Sequence, residues 1–221
     1  MRRLPTALLL VLTSTHVLCA NSFSFSGDSL TADLARGRER TVLNGHARLA
    51  SDDLRISAAT IELYGEDFTL ALCRGGVVID DLKNDTTLTC DRLDYDREQK
   101  VIRLHGNAIM EDRKNEIVIK GEIMESRDKD GITIIQVGVR ILREDMVSRS
   151  QMARYFRDDN RLELSGMPVV EWKGDTYRAT RIRVNLDDDT IQLEGDVEAE
   201  VGYTEEGEGE AEAAQGAGPG E

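Results

Sequence analysis

Helix-length apolar periodicity is missing from this chain of 221 residues, and no long apolar run follows its first twenty positions. The first absence argues against an α-helical fold, and the second leaves no later segment able to cross a bilayer as a helix. Only three prolines and three histidines occur, and aromatics make up 5% of the chain. Basic residues are also short, 28 against 42 acidic, for a net charge of −14. That balance argues against nucleic acid, whose phosphates require a basic footprint, and against unassisted adsorption to an anionic membrane face. There is no His-x3-His or Cys-x2-Cys spacing, no EF-hand loop and no Gly-x-Ser-x-Gly elbow. The expectation is therefore no metal, no cofactor and no catalytic residue, that is, a protein that is not an enzyme.

The ends of the chain read differently from its middle. Met1 to Arg3 is basic, Leu4 to Ala20 is mostly apolar, and Ala20-Asn21-Ser22 fits the small-x-small rule for cleavage. Residues 1–22 are expected to be a secretory signal peptide, with a retained anchor or a lipidated Cys19 as alternatives. Such a segment marks the chain for export. From Tyr203 the sequence becomes Glu, Gly and Ala, so 203–221 is expected to be a disordered acidic tail. Residues 23–202 remain as one domain.

Within that domain small residues recur about every thirty positions. One column runs Ala32, Ala58, Cys90, Gly121, Ser150, Ala179. A second runs Gly45, Gly75, Gly106, Val137, Gly166, Gly195, with steps of 30, 31, 31, 29 and 29. A fixed period of this length means one supersecondary unit stacked along an axis. Cys73 and Cys90 could pair after export. However, Cys73 takes a slot filled by Leu43, Leu104 or Ile135 elsewhere, and Cys90 belongs to the small column, so both read as buried small hydrophobes.

Each unit holds two segments. The first alternates strictly, as in Ile191, Leu193, Gly195, Val197, Ala199 against Gln192, Glu194, Asp196, Glu198. This period of two is that of a half-buried strand. In the fourth unit Gly138 slips off the face, which suggests a bulge. The second segment steps three from its small residue to the next apolar one, as from Ala58 to Ile61, which fits a bend or bulge in a strand. Asp-rich turns such as Asp52-Asp53, Asp128-Lys129-Asp130-Gly131 and Asp187-Asp188-Asp189 separate the segments and read as solvated. The result is an all-β protein of twelve or more strands. A flat sheet of that size must curl. Its apolar columns then point inward, as a packed core or as an open groove.

The strongest segments are Leu88-Thr-Cys-Asp-Arg-Leu-Asp-Tyr-Asp96, Val101-Ile-Arg-Leu-His-Gly-Asn-Ala-Ile109, Thr41-Val-Leu-Asn-Gly-His-Ala-Arg-Leu49, Ile191-Gln-Leu-Glu-Gly-Asp-Val197 and Phe25-Ser-Gly-Asp-Ser-Leu-Thr-Ala-Asp33. Together, over residues 25–201, they resemble the LptA/OstA family of periplasmic lipopolysaccharide-transport proteins. The resemblance implies an elongated, open β-jellyroll of about six two-strand repeats that holds lipid acyl chains inside. It implies carriage of lipopolysaccharide or a related glycolipid from inner to outer membrane. The implied partners are an LptC-like inner-membrane protein, an LptD-like outer-membrane protein and further copies stacked head to tail. The expected groove lining is Leu43, Ala47, Leu49, Val77 and Ile79 from the first units, and Leu104, Ala108, Met110, Val137 and Val139 from the middle. Leu164, Val170, Leu193 and Val197 complete it. Alternatives are a membrane-anchored LptC-like component and a structural β-stack that binds no lipid.

Overall fold

The computed structural model describes residues 23–33, 35 and 39–202. The predicted signal peptide with Cys19, and the predicted acidic tail, lie outside the described residues. In chain order the strands are β1 (Ser24–Ser26), β2 (Ser29–Asp33), β3 (Arg40–Ala50), β4 (Leu54–Tyr64), β5 (Leu70–Asp81), β6 (Thr86–Asp96), β7 (Val101–Asp112) and β8 (Ile117–Arg127). They continue as β9 (Ile132–Arg143), β10 (Met146–Phe156), β11 (Arg161–Ser165), β12 (Val169–Trp172), β13 (Asp175–Arg178), β14 (Arg181–Asn185), β15 (Thr190–Glu194) and β16 (Glu198–Glu200). One short 3-10 turn, Glu66–Phe68, joins β4 to β5. All pairings are antiparallel and all sixteen strands form one sheet. β1 with β2, β11 with β12, β13 with β14, and β15 with β16 are halves of single long strands. With the eight unbroken strands this makes twelve, hydrogen-bonded in sequence order. The fold is the open all-β roll of six two-strand repeats that the sequence predicts. Its connectivity is an uninterrupted up-and-down meander, with β1/β2 at one edge and β15/β16 at the other.

The glycine column has a specific cause. In each repeat two consecutive residues of one strand oppose a single residue of the next. Gly106 and Asn107, for example, lie between the register pairs His105↔Ile123 and Ala108↔Gly121, opposite Glu122. On their other side they oppose Asp91, between Arg92↔His105 and Thr89↔Ile109. This is a two-for-one bulge, which bends and twists the strand that carries it. Both bulged residues have positive φ in every repeat: Gly45 and His46, Gly75 and Gly76, Gly106 and Asn107, Val137 and Gly138, Gly166 and Met167, Gly195 and Asp196. On the alternating strands the sequence suggests a bulge in the fourth unit only; the structure has one in all six. The intervening strands explain the three-residue step. Their buried residues, such as Ala58 and Ile61 around Ala59, lie three apart, so two consecutive residues face outward at this level.

The small column is corrected at its first member. Ala32 pairs with Thr41, well away from the bulge, whereas Gly27 lies beside it; a Cβ there would stand 3.3 Å from the Gly45 carbonyl oxygen. The slot is therefore Gly27, followed by Ala58, Cys90, Gly121, Ser150 and Ala179.

Six bulges at one level bend the whole sheet along one line, and its apolar face closes on itself. The buried side chains on both sides of that line, from Leu43 to Leu186, form one core cluster. Cys73 and Cys90 are separate buried thiols inside it, on the packing slots the sequence assigns them.

Candidate functional site

Folding along the bulge line brings two rows of turns together. The first row is 51–53, 82–85, 113–116, 144–145 and 173–174; the second is 65–69, 97–100, 128–131, 157–160 and 186–189. Backbone hydrogen bonds join successive turns throughout the second row and, in the first row, all but 113–116 and 144–145. Leu82 N donates to Asp53 O at 2.8 Å in the first row, and Arg97 N to Thr69 O at 2.9 Å in the second. Each row forms a lip.

Between the lips only side chains meet among the described residues. Asn84 Nδ2 donates to Asp128 Oδ1 at 3.1 Å, and Lys83 Nζ lies 3.4 Å from Asp128 Oδ2. Tyr155 Oη donates to Asp112 Oδ2 at 3.0 Å and accepts from Asn115 Nδ2 at 2.7 Å. Lys173 Nζ lies 2.9 Å from Asp189 Oδ2, and Arg143 Nη1 lies 3.6 Å from Asp189 Oδ1. Asp128 and Asp189, predicted as solvated turn residues, therefore act as cross-lip partners. Burial opposes the ionisation of Asp128. The hydrogen bond from Asn84 and the charges of Lys83 and Arg157 outweigh it, and the carboxyl lies below its ordinary value. A partly exposed pair such as Lys83–Asp128 holds surfaces together weakly, by about 0–1 kcal/mol, whereas the Tyr155–Asp112 hydrogen bond is buried and holds more firmly. The lips are closed by contacts that can be undone without breaking the sheet.

Toward the β3–β6 end the lips part over a cavity of 460 Å³. Asp52, Asp53, Asp81 and Lys83 rim it from the first side, and Asp67, Arg97, Glu98, Lys100 and Asp128 from the second. Its apolar wall is Leu49, Leu54, Ile56, Tyr95 and Ile102, with Phe23 at the side. The Arg97 guanidinium lies 4.3 Å over the Phe23 ring, which in turn packs 6.1 Å from Phe25. Arg97 Nη1 is buried there without a hydrogen-bond partner. A second void of 20 Å³ continues the line inward past Leu88 and Met110, sharing Asp81, Lys100, Ile102 and Asp128 with the first. A volume of this size with an apolar wall and a charged rim fits the about 300–1,000 Å³ range of small-molecule sites.

The predicted groove residues divide. Leu49 lines the large cavity and Met110 the small one. Leu43, Ala47, Val77, Ile79, Leu104, Ala108, Val139, Leu164 and Val170 are buried in the packed core, and Leu193 is half-buried against it. Val137 is corrected: it is 53% exposed, because the left-handed bulge turns its side chain out of the sheet. Val197 occupies the inward slot after its bulge but is also 53% exposed, since among the described residues the edge strand has no neighbour beyond it to cover that slot. The lining expected from the sequence omits Leu54, Ile56, Tyr95 and Ile102. Tyr95 does lie in a second segment and Ile102 in an alternating first segment, both with legible apolar steps.

His46 Nδ1 meets Asp28 Oδ2 at 2.8 Å and His105 Nε2 meets Asp94 Oδ2 at 3.2 Å, both on the exposed side. No cluster of His, Cys, Asp or Glu able to hold a metal occurs among the described residues, and no helix there is long and apolar enough to cross a membrane.

No protein-family model and no curated protein sequence matches the chain. Among solved structures it is similar to LptH, the LptA homologous periplasmic component of the conserved lipopolysaccharide transport device from Pseudomonas aeruginosa. That match has 11% identity and a TM-score of 0.27, over 83% of this chain and 96% of that one. A likeness at that score carries no argument about function.

Proposed function

We propose that the protein is a lipid carrier that takes an acyl chain between its lips into the roll. The observation that carries this reading is the cavity at the β3–β6 end. It is apolar inside, charged at the rim, and bounded by two lips that only side chains join. An acyl chain needs length and low polarity and no directional bonds, which Leu49, Ile56 and Ile102 offer. Beyond the cavity the interior is packed and mostly apolar, with Asp112, Thr133 and Ser148 among its few buried polar side chains, so parting the lips extends the apolar surface past Leu104 and Met110. The motif resemblance of the strands directs the finer reading: lipopolysaccharide or a related glycolipid as cargo, the periplasm as location, and LptC-like and LptD-like proteins as donor and acceptor.

A photo-crosslinkable acyl-chain probe tests the proposal. Crosslinks should map first to Leu54, Ile56 and Ile102, and on loading should extend to Leu104 and Met110. Labelling confined to outward residues such as Arg103 and Glu194 would sink it and leave a non-lipid β-stack.

A further inference from the structure

On the outer face, one cross-strand row carries no acidic side chain from β1 to β13. It passes through Ser26, Arg48 and Ser57 at one end. In the middle, Lys120 of β8 stands directly opposite Arg140 of β9, and Arg140 directly opposite Arg149 of β10. Like charges set opposite each other on adjacent strands repel. Arg149 is paired with Glu171 at 2.7 Å, but Lys120 and Arg140 have no ion-pair partner among the described residues. This is anomalous for a chain of net charge −14.

Exposed aliphatic side chains flank that row on both sides. Leu142 and Val147 are a direct cross-strand pair, 39% and 40% exposed. On the other side is the bulge line. Val137 occupies the slot that is glycine in the other five repeats, at φ 66°, a conformation that strains a β-branched residue. Met167 is 79% exposed where the other repeats place His46, Gly76, Asn107, Gly138 and Asp196. Neither is buried in compensation. Strain retained without burial is a reason to look for function.

We propose that the outer face of β8–β12 docks on an anionic membrane surface, with Lys120 and Arg140 among the headgroups and Val137, Leu142, Val147 and Met167 at the acyl boundary. Basic residues interleaved with exposed aliphatics are what an interfacial face requires. An acidic protein would have to match opposed cations in fixed register, whereas lipid headgroups need no register. The face lies on the outer side of the roll; Leu142 and Val147 adjoin the 144–145 turn of the first lip, but the cavity is lined at the β3–β6 end, so docking leaves it open.

The test is co-sedimentation of the full chain with vesicles of phosphatidylcholine containing phosphatidylglycerol, and with pure phosphatidylcholine vesicles, at low and high salt. Because residues 4–20 are themselves apolar, variants are compared with the parent in the same background. Binding should favour the anionic vesicles and weaken with salt. Lys120→Glu with Arg140→Glu should lower it by at least about tenfold. Arg48→Glu, in the same row but away from the aliphatics, should leave it unchanged. Val137→Gly should raise the melting temperature by relieving strain while weakening binding, opposite signs that a purely structural role would not give. Equal binding to both vesicle types, reversal variants that bind like the parent, or no vesicle binding at all would each overturn the proposal, the last in favour of a protein partner.

Discussion

Cys73 and Cys90 are 0% and 5% exposed, on neighbouring strands inside the core. Burial pushes the Cys73 thiol up to about 12 and the Cys90 thiol to about 11, from an ordinary 9.0. The unfolded chain releases these protons first, so the folded state holds more protons at alkaline pH. Their contribution to stability is complete below about pH 9 and is lost as pH rises through the folded values. Denaturant midpoints under reducing conditions should therefore decline above about pH 9, and Cys73→Val with Cys90→Ala should flatten the decline. An unchanged slope in the double variant would assign the loss to other groups, among them Tyr155, which burial also raises.

The bulge is the element on which the roll depends. At Gly106, φ is 77° and an added Cβ would lie 2.4 Å from Asp91 Oδ2; at Gly76, φ is 56° and the space is open. Gly106→Ala should thus lose about 1–2 kcal/mol in chemical denaturation from the left-handed backbone alone, plus the displacement of Asp91. Gly76→Ala should lose less; equal losses would mean that only the backbone matters. Much of this element was legible in the sequence. The glycine period and the odd step from Ala58 to Ile61 are two sides of one bulge, and both leave a local trace. Ala32 was misplaced because small size alone does not distinguish it from Gly27, five residues earlier, whose register sets it beside the bulge. The lips left no trace. Asn84 and Asp128, or Asp112 and Tyr155, lie more than forty residues apart, and an aspartate that bridges lips has the same local sequence as one that faces water.

At the scale of the whole molecule, the proposed uptake requires the lips, joined by polar side chains, to part while the bend at the bulges holds the roll together. Asn84→Cys and Asp128→Cys joined by a short bis-maleimide should block uptake of the acyl probe, while each single variant still loads. Cys73 and Cys90 are too buried to compete for the reagent. Undiminished uptake in the joined protein would place entry elsewhere, at an open edge of the sheet. The order of the sheet has a consequence of another kind. Every strand between the two edges hydrogen-bonds to the strands before and after it in sequence, and among the described residues none waits for a distant partner to complete its ladder. Loop-closure entropy is therefore met in small steps. A chain threaded through a narrow pore, first residue leading, can add one hairpin after another to what has already emerged, so that release of its last segment finds the rest assembled.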